Sequence, residues 1–132
     1  INGSYYKKVA YMADTSEETK KFQKELNAGT TALVLLGVLN QAAEPMYGYQ
    51  IARHIEASSK DAPVMKQGAL YPVLRALEGN GLLQSEVEPS VSGPPRRYYR
   101  ITAAGRETLA RWNEIWEQTK DLVDVVLKGA KK

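Results

Sequence analysis

Residues 82–102 read Leu-Leu-Gln-Ser-Glu-Val-Glu-Pro-Ser-Val-Ser-Gly-Pro-Pro-Arg-Arg-Tyr-Tyr-Arg-Ile-Thr. Leu82 to Glu88 and Arg97 to Ile101 have the length and residue types of two short strands. Pro89 to Pro95 between them is a turn-rich loop. Alternation puts Arg97, Tyr99 and Ile101 on one face of the second strand, and Tyr98 and Arg100 on the other. A two-stranded hairpin is marginally stable alone, so this one must pack on helices.

Those helices lie upstream. Gln67 to Asn80 reads as a helix with Leu70, Leu74 and Leu77 facing inward and Val73 at the margin. Lys66, Tyr71 and Arg75 face outward. Pro72 falls inside this stretch, where proline removes one hydrogen bond and crowds the preceding turn. The leucine period continues through it, so a helix with a distorted first turn is expected. Gly79-Asn80-Gly81 is a stop signal. Ser58 to Pro63 is a polar connector. Tyr47 to Ser58 is another helix, with Ile51 and Ile55 one turn apart and Ala52 beside them. Before it, Thr30 to Gln41 is apolar on nearly all sides, as in a helix buried on most faces. Glu44-Pro45 ends that helix.

Thr15 and Glu18 have the spacing of a capping box, and Phe22 and Leu26 follow on one face. Gly29 is expected to loosen this first helix. Residues 1–14 are read as an N-terminal arm. Met12 is the expected natural start, with residues 1–11 added ahead of it. The alternative is a native arm whose Lys7 and Lys8 touch DNA or a partner.

Downstream of the hairpin, Thr102 is the expected N-cap of a last helix running to about Leu127. Leu109, Trp112, Trp116, Thr119, Val123 and Val126 recur at spacings of 3, 4, 3, 4 and 3, a heptad seam. Ile115, Leu122 and Leu127 widen it. Gly129, with Lys128, Lys131 and Lys132, suits a helix C-terminus.

The chain is therefore expected to be mainly α with a small β-hairpin. Three helices followed by a hairpin describe a winged helix-turn-helix, over residues 15–101, in which the third helix enters the major groove. Residues 102–132 form a long C-terminal helix for dimerisation.

Composition narrows the function. The 132 residues are 43% hydrophobic and 25% charged, which suits one globular domain. Cysteine is absent and His54 is the single histidine, so a zinc finger, a thiol catalyst and a multi-histidine metal site are excluded. His54 itself reads as a surface or half-buried structural residue, and Asp121 and Asp124 as solvated helix residues. No apolar run approaches the roughly 18–20 residues that cross a bilayer. No nucleophile–base pair, phosphate loop or metal constellation is present, so no enzyme, catalytic residue or cofactor is expected. The expected location is the cytoplasm.

The net charge is only +3 and the isoelectric point about 9.1. The charge is nonetheless concentrated. Between Pro94 and Arg111 stand five arginines (Arg96, Arg97, Arg100, Arg106, Arg111) and one acid, Glu107. Arginines on a projecting ribbon can bridge phosphates or enter a narrow minor groove. With outward Lys66, Tyr71 and Arg75, they favour double-stranded DNA as partner. The alternative is a winged-helix module that binds only protein, since fold does not fix function.

Tyr47-Gly48-Tyr49, Gly68-Ala69-Leu70-Tyr71-Pro72-Val73-Leu74, Leu77-Glu78 before Gly81-Leu82, and Arg97-Tyr98-Tyr99-Arg100-Ile101-Thr102 with Gly105 closely resemble the PadR family of bacterial transcriptional regulators. The resemblance covers roughly Glu25 to Leu127. The single C-terminal helix resembles the short subfamily. The resemblance implies a dimeric repressor whose third helix and wing bind an operator and whose last helix dimerises. Carried over residue by residue, it implies that Tyr71 binds a phosphate, that Arg97 belongs to the wing's basic cluster, and that Tyr99 packs the wing onto the body. Lys66 and Gln67 depart from the family's usual Ser or Asn followed by Pro, and lysine is a poor N-cap. Lys66 can instead reach a phosphate, and Gln67 an adenine edge. Ala69 stands where Thr is common, so one hydroxyl contact is missing.

On a symmetric dimer, Trp116 would meet its own copy, along with Leu109, Val123 and Val126 of the seam. Two facing indoles can enclose a flat aromatic molecule. In short PadR-like regulators a tryptophan on this helix lines such a pocket, and Trp116 matches it by distance from Arg-Ile-Thr. Trp112, one turn earlier, would wall the same cavity. The alternative is that both tryptophans fill the dimer core.

Overall fold

Leucines at helical spacing meet one face of a small sheet, and this contact is the core of the molecule. The computed structural model describes residues 3–58 and 67–129, with side chains from residue 16 onward. The elements are α1 (Gly3–Gln41), β1 (Met46–Tyr47), α2 (Gly48–Ser58), α3 (Gln67–Gly79), β2 (Leu83–Glu88), β3 (Arg96–Ile101) and α4 (Ala103–Lys128). The chain divides into two units, Ile1–Thr31 and Ala32–Lys132.

The first unit is the N-terminal part of α1. The helix begins at Gly3, so the expected cap at Thr15 is not formed; Thr15 lies in helical backbone. No glycine or proline interrupts residues 4–28, and nothing there stops a helix once started. The division of the chain falls between Thr31 and Ala32. The helix also continues through Gly29. Just past it, the Thr30 and Thr31 hydroxyls donate to the Leu26 and Asn27 carbonyls at 3.0 and 2.6 Å.

The second unit holds the core. Leu35, Leu36, Val38 and Leu39 of α1 pack with Ile51 of α2, Leu70, Leu74 and Leu77 of α3, Leu83 of β2 and Tyr99 of β3. The helix carrying the leucine triplet runs unbroken through Pro72. An interior proline costs about 3 kcal/mol or more. Each fully buried leucine returns about 1.5–3 kcal/mol. With Leu70, Leu74 and Leu77 all at most 4% exposed, burial outweighs the defect.

The sheet has three strands in the order β1-β3-β2, all antiparallel. Sequence reading gives two. Met46 and Tyr47 pair with Tyr99 and Tyr98, so Tyr47 is strand and the next helix starts at Gly48. Two residues cannot display an alternation, which is why β1 leaves no periodic signal. In the hairpin, Leu83 faces Ile101, Ser85 faces Tyr99 and Val87 faces Arg97.

A glycine turn and one threonine join these parts. Gly81, at φ +80°, follows α3 in a Schellman motif: Leu82 N donates to Leu77 O and Gly81 N to Glu78 O, both at 2.9 Å. Thr102 then caps α4 as expected. Its Oγ1 accepts from Gly105 N at 2.9 Å and donates to Gly81 O at 2.7 Å. Gly105 packs so closely that a Cβ there would collide with the Leu82 carbonyl oxygen. Gly105→Ala is therefore expected to cost about 1–3 kcal/mol, and Thr102→Ala about 0.5–2 kcal/mol. Urea denaturation at fixed protein concentration checks both; a Gly105→Ala chain as stable as the parent would contradict the packing.

Candidate nucleic-acid interface

The N-terminal turns of α3 and the β2–β3 wing loop, with the start of β3, face a cleft of about 350 Å³. Its lining includes Tyr47, Gln67, Tyr71, Pro95, Arg96 and Arg97. The structure thus brings together four of the six sequence-selected DNA candidates: Gln67, Tyr71, Arg96 and Arg97. Arg75 lies one turn beyond Tyr71 on α3, exposed and outside the cleft lining. Lys66 falls outside the described residues.

Gln67 and Tyr71 are one helical turn apart, and Gln67 Nε2 donates to Tyr71 Oη at 2.7 Å. Oη therefore acts as acceptor towards the protein, which leaves its own proton for an acceptor elsewhere. The ring is pressed onto the start of α2. A Cβ on Gly48 would stand 2.7 Å from Tyr71 Cε1 and Oη. A Cβ at position 48 would fit only if the Tyr71 ring shifted, which accounts for the small residue between Tyr47 and Tyr49.

The wing arginines are held differently. Arg96 stacks over the Tyr47 ring, its guanidinium carbon 4.5 Å from the centroid. Arg97 Nη1 donates to Ser85 Oγ at 2.9 Å, and Ser85 Oγ donates to Glu78 Oε2 at 2.7 Å. This relay ties β3 through β2 to the C-terminal end of α3. Sequence reasoning passed over Ser85 and Glu78. The available signal was a polar residue at 85, two places along the strand from Leu83 and so on the same face.

Tyr99 is 1% exposed beneath the relay. Burial pushes its phenol above the ordinary value and the Glu78 carboxylate adds to the rise, while Arg97 and Arg75 pull the other way. The group stays neutral at ordinary pH. Its contribution to stability is whole below about pH 10 and is lost as pH rises through the elevated value.

α4 contributes a separate surface. Leu109 and Trp112 are half-buried and pack against the chain's own core. The close approach at Gly105 draws this half of the helix inward, so Leu109, expected in a seam with a second copy, already has partners. Beyond it the apolar residues are exposed: Trp116 at 37%, Val123 at 46% and Val126 at 70%, with Ile115, Leu122 and Leu127 beside them. The two tryptophans thus differ: one belongs to the core margin, the other to the open face. Among the described residues no three His, Asp or Glu side chains gather into a metal-binding group. No helix among them is long and apolar enough to cross a membrane.

Gly48→Ala is expected to cost about 1–3 kcal/mol by forcing the Tyr71 ring aside. In a Tyr71→Ala background the same change should cost less than about 0.5 kcal/mol, because the obstacle is gone. A thermodynamic cycle from urea melts measures this; equal costs in both backgrounds would break the link between the two residues.

Residues 35–111 match the family described as the transcriptional regulator PadR-like family. Over 79 residues the chain is 39% identical to the transcriptional regulator Rv3488 of Mycobacterium tuberculosis, a match spanning 59% of this chain and 70% of that protein. The crystal structure of a PadR family transcriptional regulator from Eggerthella lenta aligns with a TM-score of 0.69 at 32% identity, over 86% of this chain and 96% of that one. A transcriptional regulator from Clostridium thermocellum aligns with a TM-score of 0.68 at 29% identity, over 81% and 96% of the two chains.

Proposed function

Because the chain belongs to the PadR-like family of transcriptional regulators, we propose that it is a cytoplasmic repressor that grips operator DNA with α3 and the wing. The observation that carries this reading is the cleft in which Gln67, Tyr71, Arg96 and Arg97 converge. The Tyr71 hydroxyl, acting as acceptor towards Gln67, can give its proton to a phosphate oxygen. Arg96 and Arg97 present guanidinium forks suited to the same group. Arg75, further along the exposed side of α3, meets the groove. Lys66 joins the set on sequence grounds.

The exposed apolar half of α4 supports a homodimer. Contiguous exposed apolar surface of this kind marks an interface, and Trp116, Val123 and Val126 are the residues assigned to it. A symmetric pair of recognition helices reads two half-sites about 34–36 Å apart, one turn of DNA. Trp116 also supports a second element of the reading, a planar aromatic effector held between paired indoles. Such a ligand releases DNA only if it prefers a dimer geometry with a different spacing of the recognition helices.

Binding to the DNA upstream of this chain's own gene, by fluorescence anisotropy, tests the reading. Tight binding that survives excess random duplex is expected. Arg97→Ala should weaken binding to every duplex and flatten the plot of log affinity against log salt by about 0.9. No binding even at low salt would leave a winged helix that serves protein contacts alone.

Val123→Asp should convert dimers to monomers in sedimentation, and dimers that persist would remove the α4 face from the interface. Trp116→Ala should abolish fluorescence quenching by planar aromatic compounds while leaving DNA affinity within about threefold. Quenching that survives would move the effector away from Trp116.

A further inference from the structure

The cleft between α3 and the wing loop carries serine hydroxyls of its own. Ser90 and Ser92 of that loop line it together with Tyr71, Arg96 and Arg97. Among the described residues no acid lines it. The carboxylates of Glu88, opposite Arg96 in the ladder, and of Glu78, behind Ser85, stand outside the lining. Two guanidinium groups and a phenol thus face a common space with no carboxylate among them, and the wall of that space includes serine.

The two serines differ. Ser90 is half-buried, and its Oγ donates to Ser92 O at 3.0 Å. That bond shapes the loop through the Ser92 carbonyl and leaves the Ser92 hydroxyl out. Ser92 is exposed, between the equally exposed Val91 and Gly93. Gly93 turns the chain at φ +112°. Pro94 and Pro95 then restrict the backbone up to Arg96. The segment lies between β2 and β3 and belongs to neither strand. A modifying enzyme must draw its target residue into its own site, and an exposed loop outside regular structure allows this. Ser92 therefore meets two conditions at once: it is reachable from solvent, and it borders the arginine cleft.

We propose that Ser92 is a phosphorylation site, and that its phosphate occupies the arginine cleft and excludes DNA. The proposal rests on the DNA-binding reading above and supplies its regulation. On a partner serine kinase, Ser92 Oγ attacks the γ-phosphorus of ATP. The bond from that phosphorus to the oxygen bridging to the β-phosphorus breaks, ADP leaves, and the hydroxyl proton passes to a base of the kinase. The loop gains a charge of about −1.5 to −2.

The cleft has the donors that this group needs. A phosphate monoester carries three strong acceptor oxygens. Arg96 and Arg97 present forks of N–H groups, and Tyr71 Oη, which accepts from Gln67, has a proton to give. A DNA phosphodiester needs the same donors but carries a single charge. The serine phosphate has more charge, and it is attached. Ser92 stands four positions before Arg96, and a short tether acts as an effective concentration in roughly the millimolar range. Both groups cannot use one cleft, so the tethered phosphate lowers the affinity for DNA.

The test uses the full chain with phosphoserine installed at position 92 by genetic encoding. Its phosphorus resonance, followed against pH, should titrate about one pH unit below the ordinary value of about 6. Replacing both arginines, Arg96→Ala with Arg97→Ala, should return the titration to about 6. Affinity for the duplex upstream of the chain's own gene should fall at least about tenfold on phosphorylation, by fluorescence anisotropy. A titration at the ordinary value would overturn the seat even where affinity falls, because repulsion by an unseated phosphate needs no arginine. A lowered titration with DNA affinity unchanged would overturn the proposed regulation. Incubating the unmodified chain with ATP and an extract of its own cells should place phosphate on Ser92, read by peptide mass spectrometry. Phosphate elsewhere, or none, would overturn the assignment to Ser92. An unphosphorylated chain that binds no duplex at low salt would overturn the DNA-binding reading itself, while the phosphorus titration still reports the seat.

Discussion

The hydroxyl of Thr102 is the joint on which the second unit turns. It accepts from Gly105 N at the start of α4 and donates to Gly81 O at the end of α3. The Thr102 amide bonds to Leu82 O at 3.1 Å in the same place. One residue thus ends the wing, begins the last helix and satisfies the turn that ends α3. The glycines on either side are dictated by it. Gly81 supplies the positive φ, and Gly105 removes the Cβ that would keep α4 off Leu82. A hydrogen bond of this kind contributes about 0.5–1.5 kcal/mol, so its importance is geometric. It fixes α3, the wing and α4 as one body.

The cleft depends on a second close approach. Gly48 lets Tyr71 lie against the first turn of α2, and Gln67 then fixes which way the phenol can donate. Opposite, Arg97 is secured by Ser85 and Glu78, and Arg96 by Tyr47. Each charged group that faces the cleft is therefore held by a neutral ring or hydroxyl rather than by a direct ion pair. That arrangement keeps the cations oriented without neutralising them, which matters for a protein whose overall charge is only +3. In the proposed reading, attraction to DNA comes from the placement of these cations and not from net charge.

The parts of the fold legible in the sequence are those with a local period or a local cap. The leucine triplet of α3, the alternation of β3, the Thr102 cap and the Gly81 stop all declare themselves within a few residues. The leucines around Pro72 outweigh it, and the helix continues through it. The parts that stayed hidden are set by distance in space. β1 is two residues long and exists only because β3 lies beside it. Thr15 has the residue types of a cap, yet the absence of any breaker before it lets the helix begin at Gly3. Leu109 fits a heptad by spacing, and its contact with the chain's own core is not visible in that spacing. In the site, outward-facing residues were readable one by one, whereas the Arg97–Ser85–Glu78 relay joins three elements and has no sequence period.

The division of labour along α4 follows from the same joint. The helix has 26 residues, about 39 Å. Its first half is committed to the core through Leu109 and Trp112, while its second half presents Trp116, Val123 and Val126 outward. A rigid rod clamped at one end and open at the other converts a small rearrangement at the open end into a displacement at the clamp. The clamp is Thr102, bonded directly to the turn behind α3. If two copies meet along the open half, any molecule that alters how they pack there moves the two α3 helices with no intermediate loop to absorb the change. The proposed aromatic effector and the proposed DNA grip would thus be coupled by a continuous covalent and hydrogen-bonded path, from Trp116 along α4 to Thr102 and Gly81.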